Sequence, residues 1–262
     1  LGFLKSKWVG FDNFRTIYYL PDFLPALRNT LMIALGKIIG NIAVPLTFAL
    51  MRNEIKNKLF KKTVQTATYL PYFLSWIVLS GILINFLSQG NTKSDTGLFN
   101  MFLQTIGLIG EPVNFLGDKN IFPWTMILTD VWKNFGYNAI VYLAALTGID
   151  PGLYEAAAID GAGRWKQTIH VTIPGIAPII TLMTVLSIGN ILNAGFDQIF
   201  NLYSASVYST GDIIDTLVYR LGLVNQQYSL SATVGFFKSV VSGILIVASY
   251  KLADKFAGYR VF

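Results

Sequence analysis

Five stretches of this chain are each long and apolar enough to cross a lipid bilayer, and nothing else in the sequence limits the fold as severely. A spanning helix needs about 20 mostly apolar residues. The runs cover roughly residues 27–51, 64–87, 122–146, 176–200 and 228–252. Lipid offers backbone groups no hydrogen-bond partners, so runs of this length are expected to be helical. The expected class is all-α, a polytopic membrane bundle forming a single domain over residues 1–262. Composition agrees, with 53% hydrophobic and 13% charged residues, where ordinary soluble domains carry about 25% charge.

Basic residues in short loops set the orientation. The segment after the first run carries Arg52, Lys56, Lys58, Lys61 and Lys62. The loop near 88–121 has Lys93 and Lys119, and the loop before the fifth run has Arg220. Lys255 and Arg260 follow the last run. Loops 52–63 and 147–175 and the C-terminus are therefore expected in the cytoplasm. Five spans would leave the N-terminal Lys5, Lys7 and Arg15 outside, against the charge rule. One further span before Leu1, giving six, resolves the conflict. In the outer loop, Leu98, Phe99, Phe102, Leu103 and Ile106 recur at helical spacing and predict a short helix, lying at the outer surface or else buried as part of the loop with no separate role.

The cytoplasmic segment 150–174 is unlike its surroundings. In "GIDPGLYEAAAIDGAG", Asp150 can cap a helix and Pro151 suits its first turn. Ala156, Ala157 and Ala158 favour helix. Gly161 and Gly163 permit a reversal. A second helix over about Arg164 to His170 is expected to stop at Pro174. Small alanines admit a partner groove closely, and Glu155 and Asp160 offer acceptors to it.

Glu155, Ala156, Ala157, Gly161, Val171, Ile173 and Pro174 fall at the spacings of the EAA loop of ABC importer permeases. Val171 and Ile173 stand where that pattern has Ile and Leu. The stretches "QTATYLPYFLSWIV", "VYLAALTGIDPGLYEAAAIDGAGRWKQ" and "SIGNILNAGFDQIFNLY" further resemble the type I, MetI-like carbohydrate importer permeases, in particular the LplB-like polysaccharide-oligomer subgroup. The resemblance implies a permease in the cytoplasmic membrane that pairs with a second permease, a heterodimer. It also implies two cytoplasmic ATPase subunits gripping the EAA helices, and an extracellular solute-binding protein. The ATPase-coupling residues carried over are Glu155, Ala156, Ala157, Asp160, Gly161 and Pro174.

If a sugar passes, it needs hydroxyl partners, which amides and carboxylates supply. Asn190, Asn193 and Asp197, spaced by three and four, are expected on one face of the fourth span. With Trp132, Tyr137 and Asn138 on the third, and Asn134 nearby, they form the candidate substrate path. The competing reading is polar glue between helices. Asp130 and Lys133, three apart, predict a local ion pair, and Lys37 needs a carboxylate from elsewhere. Gly36 and Gly40 predict close helix packing.

The absence of cysteine excludes disulfides and thiol chemistry. His170 is the single histidine, and no H-E-x-x-H, G-x-S-x-G or GxxxxGK[ST] motif occurs. No catalytic residue, metal or bound cofactor is expected; ATP and Mg would sit on the partner ATPase. The net charge of +6 lies in membrane-flanking loops, which does not suggest nucleic acid. A secondary transporter or channel is the alternative, though it leaves the EAA spacing unexplained.

Overall fold

The computed structural model describes residues 8–90 and 95–257, all helix, turn or irregular chain, with no strand among them. Lys5, Lys7, Lys93 and Arg260, which entered the charge comparison, lie outside the described residues, as does the side chain of Lys255.

Helix α1 (Asp12–Tyr18) leads to the long α2 (Phe23–Asn53). The basic stretch then forms α3 (Lys58–Tyr69), capped by the Asn57 side chain accepting from Phe60 N. A 3₁₀ turn, Leu70–Phe73, holds Pro71 in its first turn, and Leu74 is extended. The next helix, α4 (Trp76–Phe86), therefore starts afresh. The run read as one span over 64–87 is thus two helices, because proline and the extended residue break the hydrogen-bond ladder. The helix expected in the outer loop is α5 (Leu98–Thr105), and α6 (Phe122–Thr147) follows.

Two further helices, α7 (Pro151–Ile159) and α8 (Arg164–Gln167), make the loop after α6. Here the structure corrects an expectation. The chain does not stop at Pro174. It runs from α8 through a π turn, Thr168–Thr172, into α9 (Ile173–Gly189). Pro174 stands in the first turn of α9. The wider turn before it removes the regular i→i−4 bond that proline would otherwise break.

The far end of this run differs too. The span expected over 176–200 ends at Gly189. Asn190 caps it, its amide donating to the Leu186 carbonyl at 3.1 Å, and Gly195 adopts φ +91° before α10 (Phe196–Leu202). An asparagine side chain that satisfies helix-end carbonyls and a left-handed glycine together terminate a helix. Short helices α11 (Tyr208–Gly211) and α12 (Ile214–Tyr219) and a π turn, Arg220–Val224, lead to α13 (Tyr228–Ala257).

Among the described residues, three helical runs are long and apolar enough to cross a membrane: Phe23–Asn53, Arg164–Gly189 and Tyr228–Leu252. A fourth results if the broken pair Lys58–Phe73 and Trp76–Phe86 counts as one span. Helix α6 has the length, but the polar stretch Asp130 to Asn138 lowers its hydropathy.

The chain divides into two compact units. The first comprises residues 1–34, 76–126 and 191–243. Its core is Ile17, Phe23, Ala26, Ile214, Leu217, Leu221 and Val234. Polar threads fix it. Thr30 Oγ1 accepts from Ile214 N at 2.9 Å, and Asn29 donates to the carbonyls of Ser209 and Asp212. Gln198, fully buried, donates to the Met126 carbonyl. The guanidinium of Arg220 contacts Asp212 at 2.7 Å and Asp22 at 3.1 Å and lies over the Tyr208 ring. Burial works to lower the Arg220 pKa, and the bond and attraction to Asp212, with Asp22, overcome it and hold the group above its ordinary value. Burial, then the neighbouring Tyr208, pushes the Tyr203 phenol up. In the outer-loop region, Asn100 is buried and bonds the backbone of Ser88 and Val113, which closes the loop around α5.

The second unit comprises residues 35–75, 127–190 and 244–262. Ala49, Ala139, Tyr142, Leu146 and Ile176 form its core. Gly36 and Gly40 lie where any Cβ would overlap Ile127 and Val131, so α2 approaches α6 closely, as the small-residue pair predicts. Gly136 plays the same part toward the Thr68 backbone of α3.

Candidate functional site

Helix α7 is built as the sequence predicts. Asp150 Oδ1 accepts from Gly152 N at 2.9 Å, with Pro151 in the first turn. Its far end closes in a Schellman motif. Ala162 N donates to the Ala157 carbonyl at 2.8 Å and Gly161 N to the Ala158 carbonyl at 3.1 Å. This requires Gly161 at φ +77°, a conformation that costs other residues about 1–2 kcal/mol. Gly163 is extended and starts α8. The Gln167 amide donates to the Ala162 carbonyl, and the Tyr154 hydroxyl meets Thr172 Oγ1 at 3.0 Å. The two helices and the π turn are therefore one braced hairpin, all of it in the second unit. One outward link, Arg164 to Glu54 at 3.3 Å, is solvent-exposed and adds little stability.

What the hairpin presents is unusual. No residue of α7 is buried. Glu155, Ala156, Asp160, Gly161 and Pro174 are exposed and Ala157 is half-buried. Ile159 is 87% exposed and Trp165 76%. A short helix that turns Leu153, Glu155, Ala156 and Ile159 outward on a rigid base is suited to insertion into a partner's cleft. The ring Nδ1 of His170 lies 3.0 Å from the Lys166 carbonyl, a local contact rather than a ligand set.

A second group of functional side chains sits on α2 and α6. Lys37 Nζ lies 3.3 Å from Asp130 Oδ1, both nearly buried. Asp130 Oδ2 also accepts from Asn41 at 2.9 Å and Asn134 at 3.2 Å, and Asn138 donates to Asn41 at 3.1 Å. The Asp130–Lys133 attraction read from spacing is thus one part of a wider arrangement. Asp130 is bridged to Lys37, and the Lys133 ammonium reaches the Tyr72 carbonyl at 2.7 Å. The i, i+3 spacing puts Lys133 beside Asp130, but the 3₁₀ turn after α3 offers Lys133 an acceptor and α2 offers Asp130 a cation. Lys37 finds the carboxylate that the sequence demanded for it.

The candidate path residues divide. Tyr137 stacks on Tyr72 with ring centroids 3.8 Å apart, Asn138 belongs to the Asp130 network, and Trp132 is exposed on α6. Asn190, Asn193 and Asp197 do not share a helical face. Asn190 is the exposed cap of α9, Asn193 lies in the turn, and Asp197 opens α10. Asn190 is in the second unit, and Asn193 and Asp197 are in the first. Sequence reasoning missed Asn41 and Tyr72, whose partners come from other helices.

Residues 41–255 match the family described as binding-protein-dependent transport system inner membrane component. Protein LplB of Bacillus subtilis (strain 168) is 40% identical over 256 residues, covering 98% of this chain and 78% of that protein. The polygalacturonan/rhamnogalacturonan transport system permease protein YteP of the same strain is 40% identical over 262 residues, covering 100% and 79%. A chain in the crystal structure of a bacterial ABC transporter involved in the import of the acidic polysaccharide alginate superposes with a TM-score of 0.89 at 37% identity, covering 97% of this chain and 86% of that one. The MetI-like architecture and the apolar helical runs agree with these matches, and the chain belongs to the inner membrane component family of binding-protein-dependent ABC transport systems.

Proposed function

We propose that this permease carries an oligosaccharide derived from a larger, uronate-containing polysaccharide into the cell. It would work with a second permease subunit, two cytoplasmic ATPases that hold ATP and Mg, and a solute-binding protein outside. The relatives' names support the substrate class: one is a polygalacturonan/rhamnogalacturonan permease and one structure belongs to an alginate importer. The charge distribution supports placing residues 150–174 in the cytoplasm.

The observation that carries the coupling role is the α7 hairpin. It is capped at both ends, braced by Tyr154–Thr172, and has no buried residue in α7, with Glu155, Ala156, Ile159 and Asp160 exposed. Glu155, Ala156, Ala157, Asp160, Gly161 and Pro174 would form or shape the surface gripped by an ATPase. Nucleotide-driven closure of the ATPases would shift the hairpin. Its continuous connection through the π turn to α9 would pass that shift into the membrane.

The test is uptake of labelled oligogalacturonate by the reconstituted complex. ATP-dependent uptake that stops on ATP removal, with ion gradients held, supports the reading. Uptake that follows an ion gradient without ATP would favour a secondary transporter and overturn it.

A further inference from the structure

Two features of the first unit have no part in coupling, and they adjoin each other. One is the π turn Arg220–Val224; such turns are rare and concentrate at functional sites. The other is Gln226 at φ +56°, the single non-glycine residue with positive φ among the described residues. Strain of this kind persists only where surrounding structure enforces it. Beside them lies an open groove of about 390 Å³, bordered by α10, α12, the π turn and the start of α13. That volume falls within the usual range for small-molecule sites, about 300–1,000 Å³.

The groove's chemistry is mixed in a particular way. Phe196, Tyr219 and Tyr228 supply three aromatic rings, and Asp215 and Ser231 supply polar groups. Behind Phe196 and Tyr219 stands Phe200, its ring centroid 4.6 Å from that of Tyr219, so the platform is backed. Asp215 is paired with Lys238. The pair spends one of three lysine donors and leaves carboxylate lone pairs, so both donors and acceptors remain for a ligand. Ser231 Oγ donates to the Val218 carbonyl and can still accept. Gly222 keeps the π turn against α13, since a Cβ there would come within 2.6 Å of Ser231 Oγ.

Aromatic faces flanked by a carboxylate, an ammonium and a hydroxyl suit a sugar ring, whose faces are apolar and whose rim is hydroxyl. An acyl chain would gain nothing from the ion pair, and charged groups facing lipid are costly. The geometry points to a saccharide-binding subsite in this groove, with Tyr219 and Tyr228 as stacking platforms and Asp215, held by Lys238, as the hydroxyl acceptor. This rests on the proposed carbohydrate function and adds to it a specific site.

The test uses the complete reconstituted transporter with its binding protein. The photo-cross-linker p-benzoylphenylalanine is placed at position 228, and the probes are radiolabelled oligogalacturonate and a radiolabelled malto-oligosaccharide. Cross-linking to either sugar, competed by the unlabelled form, is the expected result. In parallel, Tyr228→Ala should raise the apparent KM for uptake at least five-fold. Tyr228 is 63% exposed, so this variant does not threaten folding. Cross-links confined to phospholipid or to a neighbouring protein, with KM unchanged, would overturn the subsite while normal uptake by the unaltered complex left the carbohydrate reading standing. Failure of the unaltered complex to take up either sugar would overturn that reading and the subsite with it.

Discussion

Replacing Asp130 with alanine removes the centre of the α2–α6 network in the second unit. The carboxylate serves three donors: Lys37 at 3.3 Å, Asn41 at 2.9 Å and Asn134 at 3.2 Å. Side-chain exposure is 8% for Lys37 and 14% for Asp130, so water cannot replace the lost partner fully. Breaking a buried pair from one side costs about 3–5 kcal/mol, chiefly because a charge is left unpaired. The two amides lose an acceptor as well, but hydrogen bonds inside membranes average only about 0.6 kcal/mol, so the loss of the carboxylate opposite the Lys37 ammonium dominates. Lys37→Met should cost nearly as much. The double variant Lys37→Met/Asp130→Leu removes both members of the ion pair together and should recover at least about 2 kcal/mol relative to the sum of the single losses. Reversible unfolding in mixed micelles, followed by circular dichroism, gives all four corners of the cycle. Single losses below about 1 kcal/mol that simply add in the double variant would refute the claim that this ion pair binds α2 to α6.

Four further outcomes follow from the geometry. A Cβ on Gly161 meets nothing within 4 Å, so Gly161→Ala should cost only the backbone term, about 1–2 kcal/mol, measured as a lower unfolding midpoint. Gly161→Trp adds a bulky group at the exposed surface and should cut ATP-dependent uptake at least ten-fold while the permease still reaches the membrane, checked by transport and immunoblot. Gly136→Leu forces a side chain into the Thr68 backbone and should destabilise by about 1–3 kcal/mol or more, again read from unfolding. Gln226→Gly relieves the left-handed strain and should raise stability by about 1 kcal/mol; no change would show that the surrounding contacts, not the backbone, set that conformation.

Much of the fold was legible because its signals are local. The cap at Asp150, the reversal at Gly161 and the helix over 98–105 each depend on a few adjacent residues. The ends of the membrane-length runs were less legible. Between Gly189 and Phe196 the apolar Ile191 and Leu192 continue the hydropathy pattern while Asn190 and Gly195 end the helix, so composition and backbone conformation disagree. The break at Leu74 and the π turn before Pro174 are likewise backbone events that a hydropathy window averages away. The partner of Asp130 was hidden for another reason. Its choice of Lys37 depends on how closely α2 lies against α6, which Gly36 and Gly40 hint at but whose register they do not specify. The aromatic groove has residues drawn from 196 to 231 and no motif to announce it.

The central claim is that the exposed α7 hairpin is the surface through which another subunit drives this one. The chain has no cysteine, so a single thiol in Ile159→Cys would report without background. Its labelling by a membrane-impermeant maleimide should be measured in inverted vesicles with and without the cognate ATPase. The position is 87% exposed in the chain alone. The account predicts fast labelling without the ATPase and strong protection when it is bound. Equal labelling in both preparations, or labelling only from the outer side in intact cells, would contradict it.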